Sequence, residues 1–313
     1  MGLIEASSLV LTGPRRLEWI REPLVPLGRG DVLLETVAGS ISSGTELPQF
    51  LATARRAMSP SYPTMTGYEN VAIIVETGQD VRDFRSGDRV VATYGHRTHA
   101  VVAADRVVRI PEDVEDRLAL LVILSGDVAT GVRKLGSVID NPVLVTGAGE
   151  IGLLATFVLR ALGAPAVDVI EPLERRRRLA RDLGARVTVA VEHAESLDNE
   201  YAGAVECSSR DGAFSLLQAK LAEHGWICVL SDGNIEPLTL TPWFHARQLT
   251  VVGSSDCPDY RAHAKWYFSE ARKASDSLLA IFDHEASASS LPEVFNGLAS
   301  CARVATKVLV HYL

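Results

Sequence analysis

The chain of 313 residues is 47% hydrophobic, which is enough for a large buried core divided between two domains. Its formal net charge of −8 offers no basic surface for nucleic acid, and no segment reaches the roughly 20 consecutive apolar residues of a membrane span. The N-terminal residues lack the basic and long apolar regions of a secretion signal. We therefore expect a soluble, cytoplasmic protein that binds neither nucleic acid nor a membrane. Wide spacing argues against a disulfide framework, so we expect free thiols at Cys207, Cys228, Cys257 and Cys301.

Strand-like segments dominate the first third of the chain. Short β-rich stretches at residues 17–20, 31–38, 70–76, 89–93 and 99–102 are separated by turns, a pattern typical of a compact β-barrel domain. From about residue 113, helical stretches alternate with apolar strands near residues 143, 167, 187, 202, 226 and 249. This alternation predicts an α/β domain with a doubly wound parallel sheet that helices cover on both faces.

Two amphipathic helical segments, 260–274 and 291–302, and a strand at 306–311 follow. Because six strands already complete a doubly wound sheet, we expect the last strand to return to the first domain. The predicted division is 1–114 for the barrel-type domain, 115–255 for the parallel-sheet domain and 256–313 for the returning segment. With no long linker, we expect tightly joined domains and a cleft between them.

A glycine-rich turn lies between the first apolar strand of the second domain and the helix that follows. From Gly147 to Gly152 it reads G-A-G-E-I-G, with Glu150 and Ile151 inside the turn. Gly147 permits the tight turn, Gly149 lets a diphosphate approach the backbone, and Gly152 allows the helix to pack closely on the strand. The amide groups at the start of the helix face an anion, so the pattern predicts a dinucleotide site and redox chemistry.

Glu171 ends the next strand, about twenty residues after the glycines, where an adenine ribose presents its hydroxyls. A carboxylate there accepts hydrogen bonds from the ribose and repels a 2′-phosphate, which favours NAD(H). A run of four arginines at 175–178 follows, and it leaves NADP(H) as the alternative. Such a run is usually a solvated helix face, which Glu171 and Glu174 are placed to neutralise in part.

Four motifs resemble those of the medium-chain dehydrogenase/reductase superfamily, of the zinc-type alcohol dehydrogenase-like kind: S-G-T-E at 43–46, G-Y-E at 67–69, G-D-R-V at 87–90 and A-T-G at 129–131. The likeness covers nearly the whole chain and implies a GroES-like catalytic domain, a Rossmann domain and a C-terminal segment that returns to the first. The Gly-Thr-Glu loop, the short length and the region at 237–244 are similar, more weakly, to the branch that includes bacteriochlorophyllide dehydrogenases. We expect a homodimer that acts on a small molecule.

The departures from the superfamily pattern concern zinc. Zinc-containing relatives carry a cysteine before the Gly-Thr-Asp/Glu loop, a histidine between Gly and Glu, and a cysteine or glutamate before Ala-Thr-Gly. Ser43, Tyr68 and Gly126 occupy these three positions here, and they do not supply the thiolate, imidazole or carboxylate donors that zinc prefers. The four-cysteine structural lobe is also missing, because no cysteine precedes Cys207. We therefore expect no metal.

Without a metal, hydrogen-bond donors must stabilise the charge that develops on the substrate oxygen. The resemblance implies Thr45 as a proton-relaying hydroxyl, Tyr68 as a phenol in place of a ligand and Glu69 as an acid behind the site. Asp127 and Ser43 lie at neighbouring matched positions. For the cofactor, the matched positions that remain are Thr130, Arg176, Ser208, Ser209 and Ser231.

His96 and His99 form an H-x-x-H pair that can hold a metal, but no third ligand lies nearby in the sequence, and we interpret them as one hydrogen-bonded and one exposed histidine. The leading functional hypothesis is a zinc-independent oxidoreductase that moves a hydride between a nicotinamide and a carbonyl or alcohol carbon. Reduction of a C=C bond, as in quinone and enoyl reductases, is the second hypothesis. A nucleotide-binding redox sensor without catalysis is the third.

Overall fold

The computed structural model describes residues 5–54, 61–231, 236–300 and 305–312. In chain order its strands are β1 Glu5–Gly13, β2 Arg16–Pro23, β3 Asp31–Ile41, β4 Thr64–Met65, β5 Asn70–Thr77, β6 Arg89–Ala92, β7 His99–Ala103, β8 Val108–Arg109, β9 Val143–Thr146, β10 Val167–Ile170, β11 Val187–Val189, β12 Tyr201–Glu206, β13 Leu221–Val229, β14 Thr250–Gly253, β15 Phe282–Ser287 and β16 Lys307–His311. The α-helices are α1 Ser43–Leu51, α2 Asp116–Leu120, α3 Val122–Arg133, α4 Glu150–Ala161, α5 Glu174–Asp182, α6 Asp211–Lys220, α7 Pro242–Ala246, α8 Tyr260–Ala271, α9 Ser275–Leu279 and α10 Leu291–Ala299. Within the described part of the chain, no helix has the length and apolar character needed to cross a bilayer.

The chain divides into two compact units, each of which draws on more than one stretch of sequence. The first unit takes its described residues from Met1–Ile123, Asp259–Arg272 and Phe282–Leu313. The second unit takes its described residues from Leu124–Pro258 and Lys273–Ile281.

The first unit contains two sheets. A three-stranded sheet has the order β2-β1-β4, and a seven-stranded sheet has the order β15-β16-β3-β5-β6-β8 with β7 paired to β3. The last strand, β16, pairs antiparallel with β3, so that Val308 faces Ile41 and His311 faces Ala38. Apolar side chains of β1, β3 and β16 pack with those of α1 and α10 in one core, which contains Leu9, Phe50, Phe295 and Val310 among its buried residues.

The second unit is a single parallel sheet with the order β11-β10-β9-β12-β13-β14. This is the order of a doubly wound Rossmann sheet, in which the chain starts at the centre and reverses direction once. The predicted α/β fold class, a GroES-like domain with a Rossmann domain, is therefore confirmed. Because both faces are covered, all four residues of β9 and all four of β10 are buried, and all of them except Thr146 and Asp168 are apolar.

The strands β1, β4, β8 and β15 and the helix α1 of the first unit were not predicted. The Gly-Thr-Glu segment, expected to be a loop, forms the first turn of α1. Of the predicted free thiols, Cys207, Cys228 and Cys257 are indeed unpaired, whereas Cys301 lies outside the described residues. The predicted helix at 291–302 is observed as α10 up to Ala299, and its last residues also lie outside the described ranges.

Candidate functional site

The glycine-rich turn joins β9 to α4 with the geometry that its sequence requires. Gly147 has a φ of +83°, a conformation that side chains disfavour. A Cβ on Gly152 would lie 1.8 Å from the carbonyl oxygen of Gly147, so only glycine allows α4 to begin this close to the strand. Gly149 is the N-cap residue of α4. Contact of Gly149, Glu150 and Ile151 with a diphosphate remains a prediction.

Glu171 follows β10 and turns its carboxylate back onto this turn. One carboxylate oxygen accepts the backbone N–H of Ala148 at 2.7 Å, and the other accepts that of Leu173 at 2.9 Å. The side chain is buried, with the residue 3% exposed. Each carboxylate oxygen has a second lone pair, so Glu171 can brace the glycine-rich turn and still accept a ribose hydroxyl. Its predicted contact with ribose remains a prediction.

The arginine run lies on α5, where Glu174 neutralises much of its charge. Arg177, Arg178 and Arg181 all bond the Glu174 carboxylate. Hydrogen bonds from Arg181, Arg177 and Arg178 lower the pKa of Glu174 to about 2. Nη1 of Arg176 lies 3.9 Å from the place that a Cβ on Gly149 would take. The guanidinium of Arg176 is thus next to the turn predicted to hold the diphosphate.

Glu206, which sequence reasoning missed, organises the serines at the end of β12. One carboxylate oxygen accepts the backbone N–H and the hydroxyl of Ser208, both at 2.6 Å, and the N–H of Ser209 at 3.0 Å. The other oxygen accepts the hydroxyl of Ser231 in a short hydrogen bond. Glu206 is completely buried. The structure therefore brings Ser208, Ser209 and Ser231 together around one carboxylate, at the carboxyl end of the sheet where such folds bind ligands.

Asp127 and Thr130 lie on α3, and their side chains form hydrogen bonds with backbone groups of the second unit. An oxygen of Asp127 accepts the backbone N–H of Cys257 at 2.8 Å, which secures the segment after β14. The hydroxyl of Thr130 donates to the carbonyl of Gly126 one helical turn earlier, at 2.9 Å. These contacts favour a structural role for Asp127, whose predicted catalytic role stays a prediction.

In the first unit, a buried pair of ionisable side chains lies beside the start of α1. Glu46 is 1% exposed, and its carboxylate accepts the backbone N–H of Ser42 at 2.8 Å and bonds Nε2 of His96 at 3.0 Å. The other ring nitrogen of His96 lies 3.2 Å from the hydroxyl of Tyr312. Burial raises the pKa of Tyr312 well above its usual value. His96 is therefore the hydrogen-bonded histidine of the predicted pair. The prediction that the other histidine is exposed is wrong, because His99 is partly buried and its Nδ1 lies 3.2 Å from the hydroxyl of Thr98.

Tyr68 and Thr45 have different surroundings in this region. The hydroxyl of Tyr68 donates to the hydroxyl of Ser42 at 2.6 Å, and the tyrosine is partly buried. Thr45 is in the first turn of α1, where its backbone N–H donates to the carbonyl of Ser42 at 3.2 Å. Ser42, a position that the sequence did not single out, is thus the residue that links the two candidate donors.

Glu69 lies in a buried ion pair. Nζ of Lys307, from β16, is 2.8 Å and 3.1 Å from its two carboxylate oxygens, and the hydroxyl of Ser40 donates to it at 2.7 Å. Both charged side chains are 0% exposed. Burial raises the pKa of Glu69, whereas the charge and hydrogen bond of Lys307 act to lower it. The role predicted for Glu69, as an acid behind the site, remains a prediction.

The fold and these motifs match known dehydrogenases. Residues 28–112 match the model of the alcohol dehydrogenase GroES-like domain. The L-threonine 3-dehydrogenase of Shewanella sp. (strain MR-7) is 30% identical over 210 residues, which are 57% of this chain and 61% of that protein. The chain thus spans less than two thirds of the length of this relative. These matches support the predicted resemblance to the medium-chain dehydrogenase/reductase superfamily.

Solved structures of dehydrogenases show the same fold over nearly the whole chain. A protein described as a zinc-binding dehydrogenase of Sinorhizobium meliloti 1021, bound to NADP, has a TM-score of 0.83 at 20% identity and covers 99% of this chain and 100% of its own. A short chain alcohol dehydrogenase from Escherichia coli CFT073, complexed with NADH, has a TM-score of 0.80 at 18% identity and covers 98% of this chain and 99% of its own. The 2R,3R-butanediol dehydrogenase of Bacillus subtilis has a TM-score of 0.82 at 18% identity and covers 98% of this chain and all of its own.

The side chains at the zinc positions of the superfamily do not fit a zinc ion. Ser43 begins α1, Tyr68 gives its hydroxyl proton to Ser42, and Gly126 has no side chain. The nearby carboxylates of Glu46 and Glu69 bond His96 and Lys307. Across the described residues, no three His, Cys, Asp or Glu side chains are grouped as a metal site requires.

Proposed function

We propose that this protein is a zinc-independent NAD(P)-dependent oxidoreductase of the medium-chain dehydrogenase/reductase superfamily, which moves a hydride between the nicotinamide and a carbonyl or alcohol carbon of a small organic molecule. The observation that carries the proposal is the hydroxyl pair of Tyr68 and Ser42, which stands where a metal ligand is expected. The likeness to L-threonine 3-dehydrogenase and to dehydrogenases bound to NADP or NADH supports the reaction class. The resemblance to the superfamily also supports a homodimeric, cytoplasmic enzyme.

The residues of the second unit account for cofactor binding. The glycine-rich turn and the N-terminus of α4 would hold the diphosphate, because backbone amides there face an anion and no Cβ blocks the approach to Gly149. Glu171 would accept the ribose hydroxyls, which favours NAD(H). Arg176, beside the same turn, is the group that would admit the phosphate of NADP(H). When bound, the nicotinamide supplies or accepts the hydride.

The chain itself must supply the proton in place of a metal. In the direction of carbonyl reduction, Tyr68 donates its hydroxyl proton to the oxygen on which negative charge develops, and its phenolate then carries that charge. Thr45 is the rival donor. Glu69 and Lys307 together keep this region electrically neutral while both stay out of water.

The first test is turnover of NADH and NADPH with a panel of ketones, conjugated enones and quinones, followed by cofactor absorbance. Reduction of ketones to alcohols supports the proposal. Products reduced at the C=C bond would instead establish the enoyl or quinone reductase hypothesis, and tight cofactor binding without any turnover would favour the redox sensor.

The second test identifies the proton donor. We expect Tyr68→Phe to lower kcat by roughly 10²-fold, the usual effect of losing one oxyanion donor, with cofactor affinity unchanged. Thr45→Val tests the rival in the same way. Tyr94→Phe is the matched control, because it removes another partly shielded phenol, 2.9 Å from the hydroxyl of Thr36, and should leave kcat unaffected. Full kcat in both the Tyr68 and Thr45 variants would contradict the assignment.

A further inference from the structure

Ser42 is the N-cap residue of α1, yet its side chain makes no capping hydrogen bond. A serine at this position normally accepts a backbone N–H of the first helical turn, which stabilises the helix by about 1 kcal/mol. Here the hydroxyl instead accepts the proton of Tyr68 at 2.6 Å. The hydroxyl of Ser42 therefore bonds a side chain of the candidate site and not a backbone N–H of the helix.

The backbone of Ser42 is held independently of that hydroxyl. Its N–H donates to Glu46 at 2.8 Å, and its carbonyl accepts the N–H of Glu46 at 2.8 Å and that of Thr45 at 3.2 Å. Glu46 is fixed in turn by His96, and both side chains are at most 2% exposed. Ser42 itself is 5% exposed. The hydroxyl therefore projects from a fixed, buried backbone toward Tyr68, whereas a capping hydroxyl would turn into the helix.

We infer that Ser42 is the positioning residue of Tyr68, holding the phenol in place and stabilising its phenolate. The inference rests on the proposed function, in which Tyr68 donates the proton. Before transfer, the Tyr68 O–H donates to the oxygen of Ser42. For transfer, the Tyr68 O–H turns from Ser42 to the substrate oxygen. As its proton passes to that oxygen, the Ser42 O–H rotates and donates to the phenolate. The substrate thus gains the one proton that Tyr68 loses, and the hydrogen bond between Tyr68 and Ser42 is kept in the reverse direction. Because hydrogen bonds to charged acceptors are the stronger ones, this exchange favours the phenolate.

The variants for the test are Ser42→Ala, which removes the hydroxyl, and Ser42→Thr, which keeps it. Ser8→Ala is the matched control, because Ser8 is a fully buried serine of the same unit whose hydroxyl bonds Glu22 at 3.0 Å. The first readout needs no substrate: protein labelled with ¹³Cζ-tyrosine is titrated by NMR, and the Tyr68 resonance is identified by its loss in Tyr68→Phe. The second readout is kcat with NADH and a panel compound that the unsubstituted protein reduces.

We expect Ser42→Ala to raise the pKa of Tyr68 by about one unit and to lower kcat about tenfold with little change in KM. Ser42→Thr should restore both, and Ser8→Ala should alter neither. In the Tyr68→Phe background, Ser42→Ala should have no further effect on kcat, because Ser42 affects kcat only through the hydroxyl of Tyr68.

Two results would overturn the inference. One is a Tyr68 pKa that does not change in Ser42→Ala. The other is a loss of kcat in Ser42→Ala that multiplies with the loss in Tyr68→Phe, because independent effects mean that Ser42 does not act through the phenol. Failure of the proposed function is distinguishable: Tyr68→Phe would then keep full kcat, while the NMR titration still reports whether Ser42 controls Tyr68.

Discussion

Replacing Lys307 by methionine would leave the Glu69 carboxylate buried without its counter-ion. The ammonium lies 2.8 Å and 3.1 Å from the two carboxylate oxygens, and both side chains are fully excluded from water. Removing one partner of such a pair costs about 3–5 kcal/mol, because the remaining charge is stranded in a medium that solvates it poorly. For a unit of this size, that loss corresponds to a fall of roughly 10 °C in Tm. Thermal melts followed by circular dichroism and urea titrations would measure it.

The loss should depend on pH with a definite sign. Burial already raises the pKa of Glu69 above its usual value of 4.5, and without Lys307 it rises further. Above pH 4.5 the unfolded carboxyl ionises while the folded one retains its proton, so the free energy of unfolding of Lys307→Met falls as pH rises. Between the pKa of Glu69 in the unfolded chain and its pKa in the folded variant, each pH unit lowers the free energy of unfolding by about 1.4 kcal/mol. Lys307→Met should thus be closest to the unsubstituted protein near pH 5 and furthest from it near pH 8.

Two further variants make this prediction refutable. Lys220→Met is the matched control, because Lys220 is also buried but donates to the carbonyl of Leu197 at 2.9 Å and strands no charge when removed. Lys307→Met combined with Glu69→Gln should recover most of the lost stability at pH 8. The reasoning about the buried pair would be wrong if Lys307→Met lost no more stability than Lys220→Met and if its loss were the same at pH 5 and at pH 8.

Three other predictions concern metal and cofactor. Purified protein should carry no stoichiometric zinc and should keep its Tm in EDTA; about one tightly bound zinc per chain by elemental analysis would contradict this. NADH should raise Tm more than NADPH at equal concentration, and Glu171→Gln should reduce the difference between the two Tm shifts. An equal or larger Tm shift with NADPH in the unsubstituted protein would show that Arg176, and not Glu171, determines the choice of cofactor. Glu206→Gln should weaken NADH binding about tenfold in a fluorescence titration, since the amide cannot accept all four bonds to Ser208, Ser209 and Ser231. Unchanged NADH affinity would show that these serines do not form part of the cofactor site.

The second unit could be predicted from sequence because its signals are local. Alternating apolar strands and helices predict a parallel sheet. The six residues from Gly147 to Gly152 predict a tight turn between a strand and a helix. Helix α1 could not be found in this way, since Gly44 and Pro48 are poor helix formers and made the segment resemble a loop. Tertiary packing overrides that preference: Phe50, near the end of α1, is buried against Phe295 with 5.4 Å between ring centroids.

The partners of the candidate site are joined across the chain, which is why the sequence alone did not identify them. Tyr68 and Ser42 are 26 residues apart, His96 and Glu46 are 50 apart, and Lys307 and Glu69 are 238 apart.

A physical signal was nevertheless present in the sequence. The chain keeps two acids of the superfamily pattern, Glu46 and Glu69, but lacks the ligands that they would support in a zinc enzyme. A carboxylate retained in a buried place needs a hydrogen-bonding or charged partner, because an isolated buried charge is too costly to keep. In this structure those partners are His96 for Glu46 and Lys307 for Glu69. With both acids engaged in this way, the proton donors that we propose are the hydroxyls of Tyr68 and Thr45.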